Sequence, residues 1–244
     1  QAGGDSWYFL TADYAFGHSL EKDTSDVVKA NGGKVVGAVR HPLNANDFSS
    51  FLLQAQASGA KVVGLANAGG DTVSSIKAAA EFGITQKQNL AAMLMMVTDV
   101  HALGLNTAQG LYLTEAWYWD TNNETRAFAK RFASRNNGKM PNMNQVGVYS
   151  SVMHYIKAVQ KAGTDDTAAV RKVMGDTPIN DVFAKNGKLR VDGRMVHDMN
   201  LYLVKKPSES KGPWDYYIHK GTVKGDEAFQ SLEKSRCPAL MKKS

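Results

Sequence analysis

A unit made of an apolar strand, a small polar loop and an amphipathic helix recurs three times in the first hundred residues, and this repetition most constrains the fold. The strands, each with the loop that follows it, are residues 6–11 with 12–17, residues 61–65 with 66–70, and residues 91–97 with Thr98 and Asp99. Strands that alternate with helices, with few tight turns between strands, are typical of an α/β fold with a mostly parallel sheet. Right-handed crossovers then place helices on both faces of that sheet.

The loops after these strands are expected to lie at one edge of the sheet, beyond the carboxyl ends of the strands, where open α/β sheets bind their ligands. They contain aromatic, amide and glycine residues and no recognisable pair of nucleophile and base. Tyr14, Phe16 and Asn67 are residue types that line small-molecule pockets, although core packing is the alternative for any one aromatic. The glycines at 69 and 70 precede a helix and suit either an anion at the helix N-terminus or a plain turn. We therefore predict a binding surface.

Composition and motifs argue against several classes of function. The formal net charge of +6 arises from Lys and Arg residues that are dispersed along the chain, which disfavours a nucleic-acid surface and suits an anionic small ligand. The six histidines show no metal-ligand spacing, and the sequence has no G-x-S-x-G, P-loop or G-x-G-x-x-G motif. No apolar run has the length that a bilayer span requires, and residues 93–97 are predicted to be a buried strand. We predict no metal site, no cofactor and no enzymatic activity.

The pattern changes after residue 119. Three helices are predicted at about residues 124–136, 145–162 and 166–174, without strands between them. Two extended segments, residues 200–204 and 214–218, then flank a polar loop and predict a β-hairpin. Because the sequence opens directly on a strand and these helices have no sheet to cover, we expect an N-terminal portion to be missing.

Four segments resemble the motifs of one family, in the family's order. They are residues 4–17, a strand followed by a D-x-x-[YF]-G turn, residues 46–52 with a D-F-S helix start, residues 108–111 and residues 147–151. The segments are similar to the periplasmic leucine/isoleucine/valine-type binding proteins of ABC transporters, and the likeness runs from about residue 4 to residue 238.

The resemblance implies an α/β type I periplasmic-binding fold, with two Rossmann-like lobes of mostly parallel sheets that close on a ligand. Residues 4–118 would form the ligand-binding domain of the second lobe, and residues 119–196 the returning helices of the first lobe. Residues 197–222 would be the closing hairpin of the second lobe, and residues 223–244 a C-terminal tail. The opening units of the first lobe would be absent, so that lobe would be incomplete. The single Cys237 would then be either an unpaired thiol or the partner of a cysteine in the missing region.

The resemblance also implies which positions bind the ligand. They are Tyr14, Phe16, Asn67, Ala68, Gly69, Thr98, Asp99 and Tyr149. Phe16 takes the place of an aromatic residue that packs on the ligand, and Tyr149 matches a tyrosine on a returning helix. Asp99 lies near an acidic position that family members use to bind an amino group.

The function implied is that of a periplasmic solute-binding component of an ABC importer, partnered by a membrane permease and by no nucleic acid. The ligand would be a small carboxylate, either an aromatic acid or a hydrophobic amino acid. Branched-chain binders favour tyrosine where this chain has Phe16, and residues 98–101 look closer to relatives that bind aromatic carboxylates. The alternative is the effector-binding domain of a transcription regulator with the same two-lobed fold, which would need a helix-turn-helix upstream.

Overall fold

The structure is a computed structural model that describes residues 4–235, 237 and 240. The chain divides into two compact units. The first contains Gln1–Thr114 and Leu201–Lys220, and the second contains Glu115–Asn200 and Gly221–Ser244. The outermost residues of the predicted C-terminal tail lie outside the described part of the chain.

Nine strands and nine α-helices occur among the described residues. The strands are β1 (Ser6–Ala12), β2 (Lys34–His41), β3 (Val62–Ala66), β4 (Asn89–Ala92), β5 (Tyr112–Glu115), β6 (Lys188–Leu189), β7 (Met195–Val196), β8 (Met199–Val204) and β9 (Tyr217–Val223). The helices are α1 (Ala15–Ala30), α2 (Ser49–Ala57), α3 (Gly69–Glu81), α4 (Val97–Leu103), α5 (Leu105–Ala108), α6 (Asn123–Ala133), α7 (Met143–Ala162), α8 (Thr167–Asp176) and α9 (Gly225–Ala228).

The main sheet has seven strands in the order β2-β1-β3-β4-β5-β8-β9. Strand β1 is parallel to both β2 and β3, β3 is parallel to β4, and β4 is parallel to β5. The α/β fold with a mostly parallel sheet is thus confirmed. The last two strands follow one another along the chain and are neighbours in the sheet, as a hairpin connection requires, but β9 begins three residues later than the predicted segment 214–218.

Strand β3 is the most deeply placed element of the first unit. All five of its residues are buried, as expected for a central parallel strand that is covered on both faces. Along the edge strand β2, on the far side of β1, exposed and partly buried residues alternate instead, up to the buried His41. Helix α1 covers the sheet over the predicted span and ends at Asn31 and Gly32, where a φ of 79° at Gly32 breaks the helical backbone.

Helices dominate the second unit. Each of α6, α7 and α8 begins after a side chain that accepts a hydrogen bond from its first turn, namely Asn122, Asn142 and Asp166. The core is formed by Trp117, Ala129 and Val146. The three predicted helices are confirmed, and α6 ends three residues earlier than expected.

The predicted strand at residues 93–97 is wrong. Strand β4 ends at Ala92, and α4 begins at Val97. The carboxylate of Asp99 accepts a hydrogen bond from the Met96 N–H at 2.8 Å, which stabilises a helix start in this apolar segment. A short apolar run by itself does not distinguish a buried strand from a buried loop or helix.

Two further observations bear on the sequence predictions. None of the helices in the described part of the chain is long and apolar enough to cross a membrane. Cys237 is a free, partly buried cysteine.

Candidate functional site

The order of the strands singles out one place on the sheet. From β1 the chain crosses to β2 on one side, and the following strand β3 lies on the other side of β1. Crossovers in opposite directions separate the loops that follow β1 and β3, and ligands of open α/β sheets bind in the crevice that this leaves. The register pairs Thr11 with Ala66, so the two loops begin side by side.

The loop after β1 presents two aromatic rings at this place. Tyr14 has an extended backbone and is 39% exposed, and its ring centroid lies 5.7 Å from that of the partly buried Phe16. Gly17 allows the helix that follows to approach closely, because an added Cβ would lie 2.1 Å from the carbonyl oxygen of Ala12. The same Cβ would lie 3.0 Å from the carbonyl oxygen of Ala66, so the first turn of α1 rests on the ends of both strands.

The loop after β3 is held from beneath by a buried polar network. The Asn67 amide nitrogen lies 3.2 Å from Nε2 of His41, and the Asn67 amide oxygen accepts from the Thr72 hydroxyl at 2.8 Å. Nδ1 of His41 lies 2.9 Å from the carbonyl oxygen of Pro42 and must donate to it, which leaves Nε2 to accept from Asn67. All three side chains are fully buried.

The structure therefore gives Asn67 a different role from the one expected. Its amide was expected to face the ligand, yet it is directed into the protein, because His41 and Thr72 supply both an acceptor and a donor there. The surface of this loop is formed by the half-buried Ala68 and by the exposed Gly69 and Gly70. Gly69 has a φ of 58°, a conformation that favours glycine.

The loop after β4 contributes the remaining predicted positions of the first unit. Thr98 and Asp99 lie in the first turn of α4 and are partly buried. Burial raises the pKa of the Asp99 carboxyl above its usual value, and the hydrogen bond from the Met96 N–H offsets part of that rise. Leu65 of β3 is paired with Ala92 of β4, so this loop is the next along the same edge.

A cluster of charged side chains near the end of β2 is not among the predicted binding residues. The guanidinium of Arg40, near the end of β2, lies 3.2 Å from a carboxylate oxygen of Glu21 and 3.9 Å from one of Asp13. Nε2 of His18 lies 2.8 Å from the same oxygen of Asp13. A basic residue at the carboxyl end of a predicted strand is the signal that could have pointed to Arg40.

Tyr149 belongs to the second unit. It lies on α7, is 38% exposed, and its ring packs edge-on against Phe128 with 5.0 Å between the centroids. The Arg131 guanidinium lies 5.8 Å from the Tyr149 ring centroid and 5.2 Å from that of Phe128. These three residues line a groove of about 370 Å³, together with Met153 and Lys157.

No group of three or more His, Cys, Asp or Glu side chains that could hold a metal ion occurs in the part of the chain that the structure describes. The arrangement at the ends of β1, β3 and β4 combines aromatic rings, backbone at a helix N-terminus and the partly buried carboxyl of Asp99. Such a lining is typical of a site that binds a small molecule with an apolar body and a polar head.

Comparisons with known proteins agree with a site that binds a small molecule. A family model described as periplasmic binding protein matches residues 1–212. A periplasmic binding protein from Burkholderia mallei is 57% identical, with a TM-score of 0.93 over 98% of this chain and 63% of its own. A branched chain amino acid ABC transporter periplasmic ligand-binding protein from Burkholderia xenovorans LB400 is 39% identical. Its TM-score is 0.87 over 97% of this chain and 63% of its own. A search of curated proteins found no significant match.

A more distant structure shares the fold. It is a solute binding protein of an ABC transporter from Rhodopseudomonas palustris BisB5, in complex with 3,4-dihydroxybenzoic acid. It is 18% identical, with a TM-score of 0.80 over 91% of this chain and 61% of its own.

The chain belongs to the periplasmic binding protein family. It spans about 63% of the length of the two Burkholderia proteins.

Proposed function

We propose that this protein is the periplasmic solute-binding component of an ABC importer and that it captures a small carboxylate without chemical conversion. The observation that carries the proposal is the position of Tyr14 and Phe16, whose rings lie 5.7 Å apart at the point where the strand order reverses. Partly exposed aromatic rings at a ligand-binding edge gain most when a flat or apolar molecule covers them.

The start of α3 would hold the carboxylate of the ligand. Helix α3 begins at Gly69, and Ala68 has no side-chain group that could cap its first N–H groups. Such N–H groups attract an anion at the positive end of the helix dipole. An added Cβ on Gly69 or Gly70 would meet no atom within 4 Å, so this backbone is open to approach. The net charge of +6 also favours an anionic ligand.

Two ligand classes fit this arrangement. One is a hydrophobic amino acid, since the relative that is 39% identical belongs to a branched-chain amino acid transporter. The other is an aromatic acid such as 3,4-dihydroxybenzoate, the ligand of the more distant structure. Asp99 is the side chain that would separate the two classes, because an ammonium group pairs with its carboxylate and an aromatic acid has no such group.

The remaining parts of the proposal follow from the family. We propose a periplasmic location, a membrane permease as partner, and capture by closure of two lobes, with Thr98 and Tyr149 among the contributing residues. A ligand stabilises the closed form only to the extent that it binds that form more tightly than the open form.

Thermal-shift measurements on the full chain with leucine, benzoate and 3,4-dihydroxybenzoate test the proposal, because a ligand of the folded state raises its midpoint by mass action. Titration calorimetry would then compare Phe16→Ala with the unaltered protein, and we expect a loss of about 1–3 kcal/mol of binding free energy.

Phe82→Ala is the matched control, since Phe82 is also partly exposed, at 41%, but lies at the far end of α3. Unaltered affinity in Phe16→Ala, or equal losses in the two variants, would remove the aromatic pair from the site. A flat response to all three compounds would count against a small carboxylate as the ligand.

A further inference from the structure

The loop at residues 205–216, which joins β8 to β9, contains a strained residue. Trp214 has a φ of 72°, although it is a bulky residue and is buried. Large side chains are genuine outliers in this left-handed region, and such strain persists only where the surrounding contacts determine the conformation.

An ion pair and hydrogen bonds within the loop help to fix this conformation. Lys205 and Asp215 form an ion pair in which both side chains are largely buried. The second carboxylate oxygen of Asp215 accepts from the Lys211 N–H at 2.8 Å, and the Lys205 N–H donates to the carbonyl oxygen of Tyr216 at 2.8 Å. The loop is therefore a braced segment that presents Trp214 and Tyr216 in fixed positions.

His101 on α4 contacts both of these residues. Its ring is stacked on that of Trp214, with 3.8 Å between the centroids and 8° between the planes. Its Nδ1 atom lies 2.7 Å from the hydroxyl oxygen of Tyr216. Stacking of aromatic rings and a short hydrogen bond together make this a directional contact.

Helix α4 needs such an outer contact because it is short. It has seven residues, too few to be stable in water alone. Its inner face is fixed by Val97, Val100 and Leu103, which are buried, whereas His101 is on the exposed side. Buried residues hold the helix against the sheet, and a contact from outside limits its rotation and sliding.

We propose that His101 is a positioning residue, which clamps α4 to the braced loop and thereby sets the place of Thr98 and Asp99 in the first turn of that helix. The clamp itself is independent of any ligand. Its effect on binding rests on the proposed function, because only there do Thr98 and Asp99 meet a ligand.

Hydrogen exchange of the ligand-free full chain tests the clamp. In His101→Ala, the amides of residues 97–103 should exchange about tenfold faster, as expected for the loss of one aromatic contact and one hydrogen bond. His101→Phe retains the stacking and Tyr216→Phe removes only the hydroxyl, so each should give a smaller increase. His219→Ala is the matched control, because His219 is another exposed histidine of this unit that contacts a tyrosine ring edge-on.

Fluorescence supplies a second readout. The His101 ring lies directly on the indole of Trp214, so His101→Ala should change the tryptophan emission of the protein, and the same substitution in a Trp214→Phe background should not. Exchange in residues 97–103 that equals that of the unaltered chain, or an equal acceleration throughout the first unit, would overturn the clamp.

Binding is measured last, with leucine and 3,4-dihydroxybenzoate as probes. We expect His101→Ala to weaken the binding of the effective probe by about threefold to tenfold, with partial rescue in His101→Phe. If exchange accelerates locally and affinity does not change, the proposed role in positioning Thr98 and Asp99 is overturned. If exchange accelerates and neither probe binds the unaltered chain, the clamp stands and the proposed ligand class fails.

Discussion

The side-chain amide of Asn67 donates to Nε2 of His41 at 3.2 Å, and this buried bond connects the ends of β3 and β2. His41 is in turn oriented by the carbonyl oxygen of Pro42, and Asn67 by the hydroxyl of Thr72. Each polar side chain of this hydrogen-bonded network thus has a partner, which is the condition for a stable buried network.

Asn67→Ala should destabilise the protein by about 1–3 kcal/mol, because it leaves buried groups of His41 and Thr72 without partners. Urea denaturation followed by circular dichroism measures the change in the free energy of unfolding. Gln54→Ala is the control, since it also truncates an amide but on an exposed helix face, and should remain within about 0.5 kcal/mol of the unaltered protein. Equal stability of the two variants would contradict the network's role.

Gly17→Ala should destabilise the protein by about 1–3 kcal/mol, because the new methyl group would lie 2.1 Å from the Ala12 carbonyl oxygen and displace the first turn of α1. Thermal unfolding measures the effect. Gly70→Ala makes the same chemical change in open space within a helix, and should stabilise by about 0.4–1 kcal/mol. A neutral Gly17→Ala would show that α1 does not rest on the strand ends.

Asp99→Asn should separate the two ligand classes. If the ligand is an amino acid, loss of the carboxylate should weaken leucine binding by about 30-fold or more in calorimetry, because an ammonium group loses its partner. Binding of 3,4-dihydroxybenzoate should be unchanged or stronger, since an anion no longer meets a carboxylate. Asp26→Asn, an exposed change on α1, should affect neither compound. Similar changes for the two compounds would contradict a direct role for Asp99.

The same variant makes a prediction about pH. Burial raises the pKa of the Asp99 carboxyl in the folded protein, so its ionisation costs stability at neutral pH, and that cost vanishes below the unfolded pKa of about 3.9. An asparagine can still accept the Met96 N–H. Asp99→Asn should therefore be at least as stable as the unaltered protein at pH 7, with a difference that disappears below about pH 4. Lower stability of the variant at pH 7 would contradict the argument that ionisation of Asp99 costs stability.

Asp192 in the second unit should show the opposite pH dependence. Its hydrogen bonds with the Arg190 guanidinium lower the pKa of the carboxyl from 3.8 to about 2. The stability that the pair supplies is present above the unfolded pKa and is lost as the pH falls through the folded value. Asp192→Asn should thus be less stable than the unaltered protein at pH 7, by an amount that shrinks between about pH 4 and pH 2.

Urea denaturation across this pH range measures the difference. Asp176→Asn provides the comparison, because Asp176 forms an exposed pair with Lys172 and should contribute little. If the difference in the free energy of unfolding between Asp192→Asn and the unaltered protein stayed constant down to pH 2, the lowered pKa of Asp192 would be contradicted.

The sequence predicted elements whose signals are local. Helix α1 runs from Ala15 to Ala30 as predicted, because its apolar stripe and the Asn31-Gly32-Gly33 stop lie within one stretch of chain. The strand prediction for residues 93–97 is wrong because the carboxylate that stabilises the helix start there belongs to Asp99, beyond the apolar run. The two-residue strands β6 and β7 are too short to show any periodicity.

At the candidate site, residue type was predictable and side-chain direction was not. An aromatic pair in a loop after a strand is visible in the sequence as Tyr14 and Phe16. The inward direction of Asn67 is not visible in the sequence, because it depends on how α3 places Thr72 and on His41, which lies 26 residues away in sequence. The place of Arg40 is likewise not visible in the sequence, because its ion pairs with Asp13 and Glu21 depend on where β2 ends relative to the loop after β1.

The inward direction of Asn67 has an evolutionary consequence. The atoms that anchor the loop belong to side chains at positions 41, 67 and 72, whereas positions 68–70 form its outer surface. Under the proposed function, attachment and ligand recognition are thus encoded by separate codons, so selection for a new ligand can exchange the outer positions while the anchor is inherited unchanged. A laboratory search for biosensors with altered selectivity would begin at those three outer positions.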